Sequence, residues 1–281
     1  MKHPYPLINT EKKFILFTNA KCGGTTLKSW FVDSLDLENT FSDTFQALRH
    51  YGFYFVFKWY KFQFANHDLQ RIKFYNPYLR RFVKIYRKAT YSKIKKHLRD
   101  PAFIRVAVTR NPYDRLVSGF ADKFCGKDLR RPWVQEVIKQ ANSLEAEGNN
   151  RITFSQFVDY LYARDLKDVN GHWRNQTHIL NAVELDQIID LNDMSTKLPE
   201  LSKSLGIDTN IVFDKKRQSN SYKKSKNIHS PEAVYDISNK ELIKFKKEHG
   251  FFPDKDAFYN EDIRQKVRAI YKDDFEMLNY D

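Results

Sequence analysis

Apolar residues occur in short runs between polar stretches, and this pattern predicts alternating strands and helices. Three runs have the length and composition of buried strands, at residues 14–18, 103–109 and 187–191. The intervening stretches predict helices at about residues 25–34, 112–124, 153–161 and 194–205, with Gly206 ending the last. In the third helix, Phe154, Phe157 and Leu161 share one apolar face.

Capping residues mark where two of these helices begin. Asn111 can cap the second helix, Pro112 fits its first turn, and Asp114 suits the positive end of the helix dipole. Thr153 and Gln156 have the spacing of a capping box at the start of the third helix.

The order of the elements predicts an α/β fold with three layers, in which a mainly parallel central sheet is flanked by helices. The chain has 281 residues, of which 41% are hydrophobic, enough for one large domain. No linker rich in Ser, Gly or Pro divides it, so we expect a single domain over residues 1–281. A basic, aromatic and mostly helical insertion is expected at about residues 45–97.

The residues after the first predicted strand suit the binding of phosphate or sulfate. They are Lys21, Cys22, Gly23, Gly24, Thr25 and Thr26. The glycines let backbone N–H groups approach an anion, and the helix beginning there adds the positive end of its dipole. The threonine hydroxyls can donate hydrogen bonds, and Lys21 adds a charge. Because Lys21 precedes both glycines, the pattern differs from a nucleoside-triphosphatase loop, where lysine follows the second glycine.

A second candidate anion site follows the central predicted strand. Arg110 lies at the carboxyl end of that strand, where open α/β sheets bind their ligands. Ser118 follows two turns along the next helix. Arg110 and Ser118 together can hold a second anionic group while the Lys21 loop holds the first.

At these residues the chain resembles the sulfotransferases that use 3′-phosphoadenosine 5′-phosphosulfate (PAPS), specifically the carbohydrate sulfotransferase (type 2) branch. Residues 171–176 look like the His-Trp-x-x-Gln element of that family, and residues 271–280 look like its C-terminal helix with tyrosine and aspartate. The four elements stand in the family's order between about Phe14 and Tyr280. Ala20 departs from the pattern, since many relatives have proline there.

This resemblance implies a PAPS-dependent sulfotransferase with the fold related to P-loop NTPases. It implies that the loop from Lys21 to Thr26 binds the 5′-phosphosulfate, and that Arg110 and Ser118 bind the 3′-phosphate. The desulfated product would be adenosine 3′,5′-bisphosphate (PAP).

A late basic segment, residues 215–224, is similar to a loop that closes over the nucleotide in relatives. Arg217 and Asn220 are the residues expected to contact the donor there. A solvated run of charges is the alternative interpretation.

Transfer to a hydroxyl needs a base, and histidine suits that task. His67 lies between the first loop and the central strand, as in relatives with a catalytic histidine, and His172 is the second candidate. Lys21 is expected to be catalytic too, because it can neutralise the leaving group. The predicted substrate-binding residues are His172, Trp173 and Gln176, of which the last two are expected to shape the site or pack beneath it.

The charge of the chain favours anionic partners. Its 48 Lys and Arg residues against 35 Asp and Glu residues give a formal net charge of +13. Between Tyr51 and His97, twelve Lys or Arg residues and many aromatic residues occur with one acid, Asp68. Aromatic faces can stack on sugar rings and cations can hold acidic groups, so we expect part of the wall for an acidic carbohydrate acceptor here. Alternatively, the aromatic residues are core and the charges are solvated.

Two other functions remain open. One is a sulfotransferase for a tyrosine or small lipid-like acceptor, with which the aromatic richness is also compatible. The other is a nucleic-acid-binding protein, favoured by the isoelectric point near 9.5. That function leaves both anion-binding patterns unexplained, so no nucleic-acid partner is expected.

The cysteine content and the lengths of the apolar stretches indicate where the protein is expected to be located. Cys22 and Cys125 are the only cysteines, and neither a disulfide framework nor a metal site is expected. No apolar stretch has membrane-spanning length, and no signal peptide is predicted. We therefore expect a cytoplasmic protein of bacterial or viral origin, because many animal relatives carry a membrane anchor.

Overall fold

A four-stranded sheet lies at the centre of the computed structural model, which describes residues 6–34, 96–142, 150–179, 183–207 and 232–281. The strands are β1 (Leu7–Asn9), β2 (Phe14–Thr18), β3 (Ile104–Thr109) and β4 (Gln187–Asp190), in the spatial order β1-β2-β3-β4. β1 pairs antiparallel with β2, whereas β2, β3 and β4 run parallel. The carboxyl ends of the three parallel strands therefore share one edge of the sheet.

Helices follow the strands and flank the sheet. They are α1 (Gly24–Asp33), α2 (Pro112–Phe124), α3 (Pro132–Ala141), α4 (Phe154–Tyr162), α5 (Met194–Ser204), α6 (Asn239–His249), α7 (Glu261–Ile270) and α8 (Lys272–Leu278). Short 3₁₀ turns lie at Lys127–Arg130, Gln176–His178 and Lys255–Phe258. The predicted α/β fold with a mainly parallel sheet is confirmed. None of the helices that the structure describes has the length and apolar character needed to cross a membrane.

Alternating side chains of β2 and β3 enter two different hydrophobic clusters. Phe14 and Leu16 pack with residues of α1 and α5, whereas Ile15 and Phe17 pack on the opposite face with Ile179. A third and larger cluster surrounds α2 and is rich in aromatic rings. Burying each large apolar side chain contributes roughly 2 kcal/mol. The sheet and α2 are thus the rigid frame on which the loops rest.

The predicted caps are present. The Asn111 Oδ1 atom accepts a hydrogen bond from the Tyr113 N–H at 2.9 Å. In the capping box of α4, the Gln156 N–H donates to Thr153 Oγ1 at 3.1 Å, and the Thr153 N–H donates to Gln156 Oε1 at 2.9 Å. Gly206, with φ of 60°, follows the end of α5.

One strand was not predicted, and one predicted region lies almost wholly outside the described residues. β1 was not predicted, because three residues are too few for a recognisable alternation. The polar stretch from residue 128 to 150, for which the sequence indicates a flexible or helical segment, contains α3, since Val134, Val137 and Ile138 bury one face of that helix. The insertion predicted at residues 45–97 lies almost wholly outside the described residues, and the single-domain organisation stays a prediction.

Candidate active site

The loop between β2 and α1 has the geometry of an anion cradle. Lys21 and Gly23 have left-handed backbones, with φ of 68° and 70°, and α1 begins at Gly24. A left-handed residue next to a helical one turns neighbouring N–H groups toward one concavity, and the first N–H groups of a helix have no acceptor within it. This geometry is compatible with the predicted binding of a phosphate or sulfate group at the start of α1, which stays a prediction.

The strained backbone of Lys21 is held on both sides. A left-handed lysine costs about 1–2 kcal/mol. The carbonyl before it, Ala20 O, accepts a hydrogen bond from Arg115 Nε at 3.1 Å. The carbonyl of Lys21 itself accepts one from Arg110 Nη1 at 3.2 Å. Two arginines thus fix the turn that presents the lysine.

Gly23 is required for packing as well as for its backbone angle. A Cβ atom here would lie 2.8 Å from Leu191 Cδ1 and 3.3 Å from Met194 Sδ. The loop therefore rests on the residues that follow β4. Glycine alone combines this approach with a positive φ at little cost.

The other predicted loop residues divide into exposed and buried ones. Thr25 is exposed and Thr26 half-buried at the mouth of α1. The buried Cys22 Sγ–H donates to Gln176 Oε1 at 3.1 Å. Burial raises the pKa of the Cys22 thiol to about 11, so the thiol stays protonated at neutral pH. Its side chain packs beneath the loop.

Gln176 positions Arg110, where the second anion site is predicted to begin. Its Oε1 atom accepts from the Arg110 N–H at 2.9 Å, and its Nε2 donates to the Arg110 carbonyl at 2.8 Å. The Gln176 amide thus pairs with the backbone of Arg110 as a neighbouring strand would. Arg110 follows β3 directly, and its guanidinium lies 3.9 Å from the Asp114 carboxylate.

A group that we name the buried clamp consists of Arg115, Gln176 and Asp274. Asp274 has no exposed surface, and its carboxylate accepts hydrogen bonds from the Gln176 N–H at 2.7 Å and the Thr177 N–H at 3.0 Å. Arg115 is 3% exposed and lies 3.9 Å from the same carboxylate. Because Arg115 also bonds the loop at Ala20, the clamp joins the loop, the end of β3 and α8.

The Lys21 ammonium contacts a carboxylate on α2. Its Nζ atom lies 3.1 Å from Asp122 Oδ2, and Asp122 also pairs with Lys123 Nζ at 2.9 Å. Burial lowers the pKa of Lys21, with the charges of Lys123 and Arg110 acting in the same direction and Asp122 opposing them. Ser118 lies buried one turn before Asp122 on the same helix.

His172 is held in one orientation near this charged cluster. Its ring stacks on Trp133, with centroids 6.0 Å apart, and its Nδ1 lies 2.6 Å from Asn170 Oδ1. Because the Asn170 oxygen can only accept, Nδ1 carries the proton and Nε2 keeps its lone pair. Burial, followed by the charge of Lys123, lowers the pKa of His172 to about 4. The imidazole is therefore neutral at pH 7.

The other two predicted substrate-binding residues are packed inside the protein. Gln176 belongs to the buried clamp, and Trp173 is 1% exposed. The Trp173 ring stacks on Phe124, and its carbonyl accepts from the Tyr271 hydroxyl at 2.8 Å. Gly119 leaves room for the Trp173 ring, since a Cβ atom at Gly119 would lie 3.3 Å from Trp173 Nε1. These contacts give both residues a positioning role, and substrate binding by them stays a prediction.

Several predicted residues lie outside the part of the chain that the structure describes. They are His67, Arg217 and Asn220. Among the described residues, no group of His, Cys, Asp and Glu side chains converges as a metal site would require.

The structure adds residues that sequence reasoning did not assign. Arg115, Asp122 and Asp274 are the main ones, with Lys123 and Asn170 beside them. The sequence spacing places three of the site residues on one helix face, and it could have been used to find them: Arg115, Ser118 and Asp122. The pairing of Arg115 with Asp274 had no local signal, because the two residues are far apart in sequence.

One comparison with known proteins identifies a relationship. A family model described as "Sulfotransferase family" matches residues 6–281, nearly the whole chain. No curated protein and no solved structure matches the chain.

Asp274→Asn should destabilise the protein by about 3–5 kcal/mol, because it leaves the buried Arg115 charge unpaired. Urea unfolding monitored by circular dichroism measures this. Asp273→Asn is the matched control, an exposed neighbour on α8. Thr177→Val removes a single hydrogen bond to Asp274 and should cost about 1 kcal/mol. A loss below about 1 kcal/mol for Asp274→Asn would contradict the clamp.

His172→Gln should make the protein less sensitive to acid. The folded state takes up a proton on His172 only near pH 4, whereas the unfolded state does so near pH 6.5. Lowering the pH through this window therefore favours unfolding, by roughly 2 kcal/mol at pH 4.5. Urea unfolding at pH 7 and pH 4.5 should show a smaller loss in the variant than in the wild type. His249→Gln, at an exposed site, is the control, and an equal loss in His172→Gln and wild type would refute the assignment.

Proposed function

We propose that this chain, which belongs to the sulfotransferase family, transfers a sulfuryl group from PAPS to a hydroxyl of a carbohydrate acceptor. Family membership gives the class of reaction, sulfuryl transfer by a transferase. The donor and the acceptor are the proposal.

The observation that carries the proposed donor is the contact between the two anion sites. Arg110 donates a hydrogen bond to the carbonyl of Lys21, so the residues after β2 and after β3 meet at one edge of the sheet. A ligand with anionic groups at two positions fits this arrangement, and PAPS carries a 5′-phosphosulfate and a 3′-phosphate. In the proposal, the loop from Lys21 to Thr26 holds the first, and Arg110 with Ser118 holds the second.

The reaction assigns a charge-stabilising role to Lys21. The acceptor oxygen forms a bond to sulfur while the bond from sulfur to the phosphate oxygen breaks. The electron pair stays on the phosphate, which leaves as PAP, and the acceptor becomes a sulfate ester. The Lys21 ammonium and the N–H groups at the start of α1 stabilise the developing negative charge.

The proton of the acceptor hydroxyl must pass to a base, for which His172 and His67 are the candidates. Among the described residues, His172 has a neutral ring with an available Nε2 lone pair. Its pKa is sensitive to the charges of Lys123, Asp122 and Lys21, which supports a location beside the donor loop. A pKa of about 4 makes His172 a weak base, so we retain His67 as the alternative.

An acidic carbohydrate is the acceptor that the composition favours. The net charge of +13 exceeds what a protein needs for solubility and attracts anionic partners. Trp133, half-buried beside His172, adds an aromatic ring of the kind that packs on sugars.

A panel of acceptors tests this proposal. The protein is incubated with PAPS labelled on sulfur together with acidic polysaccharides, tyrosine-containing peptides or phenolic lipids. Label on a polysaccharide is the expected result. Label only on peptides or lipids would contradict the acceptor, and absence of both transfer and PAP binding would contradict the donor.

Lys21→Ala should lower kcat by about 10²–10³, the scale of losing one electrostatic contact to the transition state. Single-turnover kinetics with saturating PAPS measures the chemical step. Lys139→Ala, an exposed lysine on α3, is the control. Chemistry near the wild-type rate in Lys21→Ala would remove the lysine from the mechanism.

Arg110→Ala should mainly weaken donor binding, by about 10- to 100-fold, because a charged hydrogen-bond donor to the 3′-phosphate is lost. Calorimetry with PAP measures the affinity. Arg130→Ala, at an exposed position after α2, is the control. Equal affinity for adenosine 5′-phosphate and PAP in the wild type would argue against a site for the 3′-phosphate.

A further inference from the structure

We propose that Asp122 is a positioning residue, which holds and directs the Lys21 ammonium and is itself held by Lys123. The inference rests on the proposed function for its catalytic consequence. Its structural part concerns only contacts within this chain.

The three side chains form a continuous ionic row. Lys21 Nζ lies 3.1 Å from Asp122 Oδ2, and Lys123 Nζ lies 2.9 Å from the same oxygen. Lys123 is also 2.6 Å from Asp128 Oδ2. Asp122 therefore lies between two ammonium groups, one from the loop and one from its own helix.

The row is partly shielded from water, which distinguishes it from an ordinary surface ion pair. The side chains of Lys21 and Lys123 are 15% and 8% exposed, and that of Asp122 is 38% exposed. Exposed pairs contribute little because water and salt screen them. The Lys21 ammonium pairs here with Asp122, whereas Lys123 also pairs with Asp128, so removal of Asp122 affects Lys21 most.

Hydrogen bonds to the backbone around Lys21 complement the ion pair that its ammonium forms with Asp122. The Ala20 carbonyl accepts a hydrogen bond from Arg115, and the Lys21 carbonyl accepts one from Arg110. These bonds fix the backbone from which the lysine side chain extends. Asp122 fixes the other end. A flexible side chain that is held at both ends loses little entropy when it meets the donor.

The charges that face Lys21 explain why such a partner is needed. Arg110 and Lys123 repel its ammonium, and His172 lies within the reach of the same charges. Burial also disfavours the charged form. Asp122 opposes these effects, and Asp128 is a further carboxylate near Lys123 and His172. Without Asp122, Lys21 would lose its proton at a lower pH and could not neutralise a leaving phosphate.

Asp122 also competes with the donor, because a carboxylate and a phosphosulfate attract the same ammonium. Its removal should therefore leave donor affinity unchanged or improved while turnover falls. A residue with a merely structural role would lower affinity and turnover together.

The first experiment measures Lys21 directly and needs no donor. The ligand-free protein is acylated with acetic anhydride between pH 6 and pH 10, and modification of Lys21 is followed by mass spectrometry relative to the exposed Lys139. Only the neutral amine reacts, so Asp122→Asn should raise Lys21 acylation about fivefold at pH 8 and move its pH profile to lower pH. Asp128→Asn, which removes a carboxylate that pairs with Lys123 and Arg131, should change Lys21 acylation less than about twofold.

The second experiment measures steady-state transfer by Asp122→Asn and Asp122→Glu. The asparagine variant should lose about tenfold in kcat at pH 8 with KM for PAPS unchanged or lower, and glutamate should restore part of kcat. Asp159→Asn, which breaks an exposed ion pair with Lys266, is the control.

The two experiments separate the two proposals. A shifted acylation profile without any transfer from PAPS in the wild type would refute the proposed donor but not the role of Asp122. An unshifted profile in Asp122→Asn, or an equal shift in Asp128→Asn, would overturn the inference even if the wild type is active.

Discussion

Arg115 and Asp274 form an ion pair shielded from water, and three parts of the molecule depend on it. The Asp274 carboxylate receives the N–H of Gln176, the Gln176 amide pairs with the backbone of Arg110, and Arg115 reaches back to the carbonyl of Ala20. A buried ion pair stabilises a structure only when all its remaining hydrogen bonds are made. The geometry of the Lys21 loop is therefore supported from beneath by Arg115, Gln176 and Asp274.

Cationic and acidic side chains lie close together above this clamp. Lys21, Arg110 and Lys123 converge, and the carboxylates of Asp122, Asp114 and Asp128 compensate their charges. Such compensation reduces the repulsion that the cations would otherwise exert on the folded state. Under the proposed function, the donor competes with these carboxylates for the same cations.

The parts that could be predicted from the sequence are those with local causes. The capping box of Thr153 and Gln156 and the glycine loop after Lys21 involve neighbours in the chain, and both are present as expected. The ion pair of Arg115 with Asp274 depends on how distant segments pack, which no local pattern specifies. β1 escaped prediction because it owes its conformation to pairing with β2. The roles predicted for His67, Arg217 and Asn220 stay predictions, because these residues lie outside the described ranges.

The position of Asp274 in the chain has a consequence for biosynthesis. The Lys21 loop leaves the ribosome long before α8, which carries Asp274. Contacts between segments so distant in sequence form late and slowly. A nascent chain can form β2 and α1 early, but the turn at Ala20 acquires its final support only after translation has passed α8. A polypeptide interrupted before α8 would therefore lack the hydrogen bonds and the ion pair that Asp274 supplies.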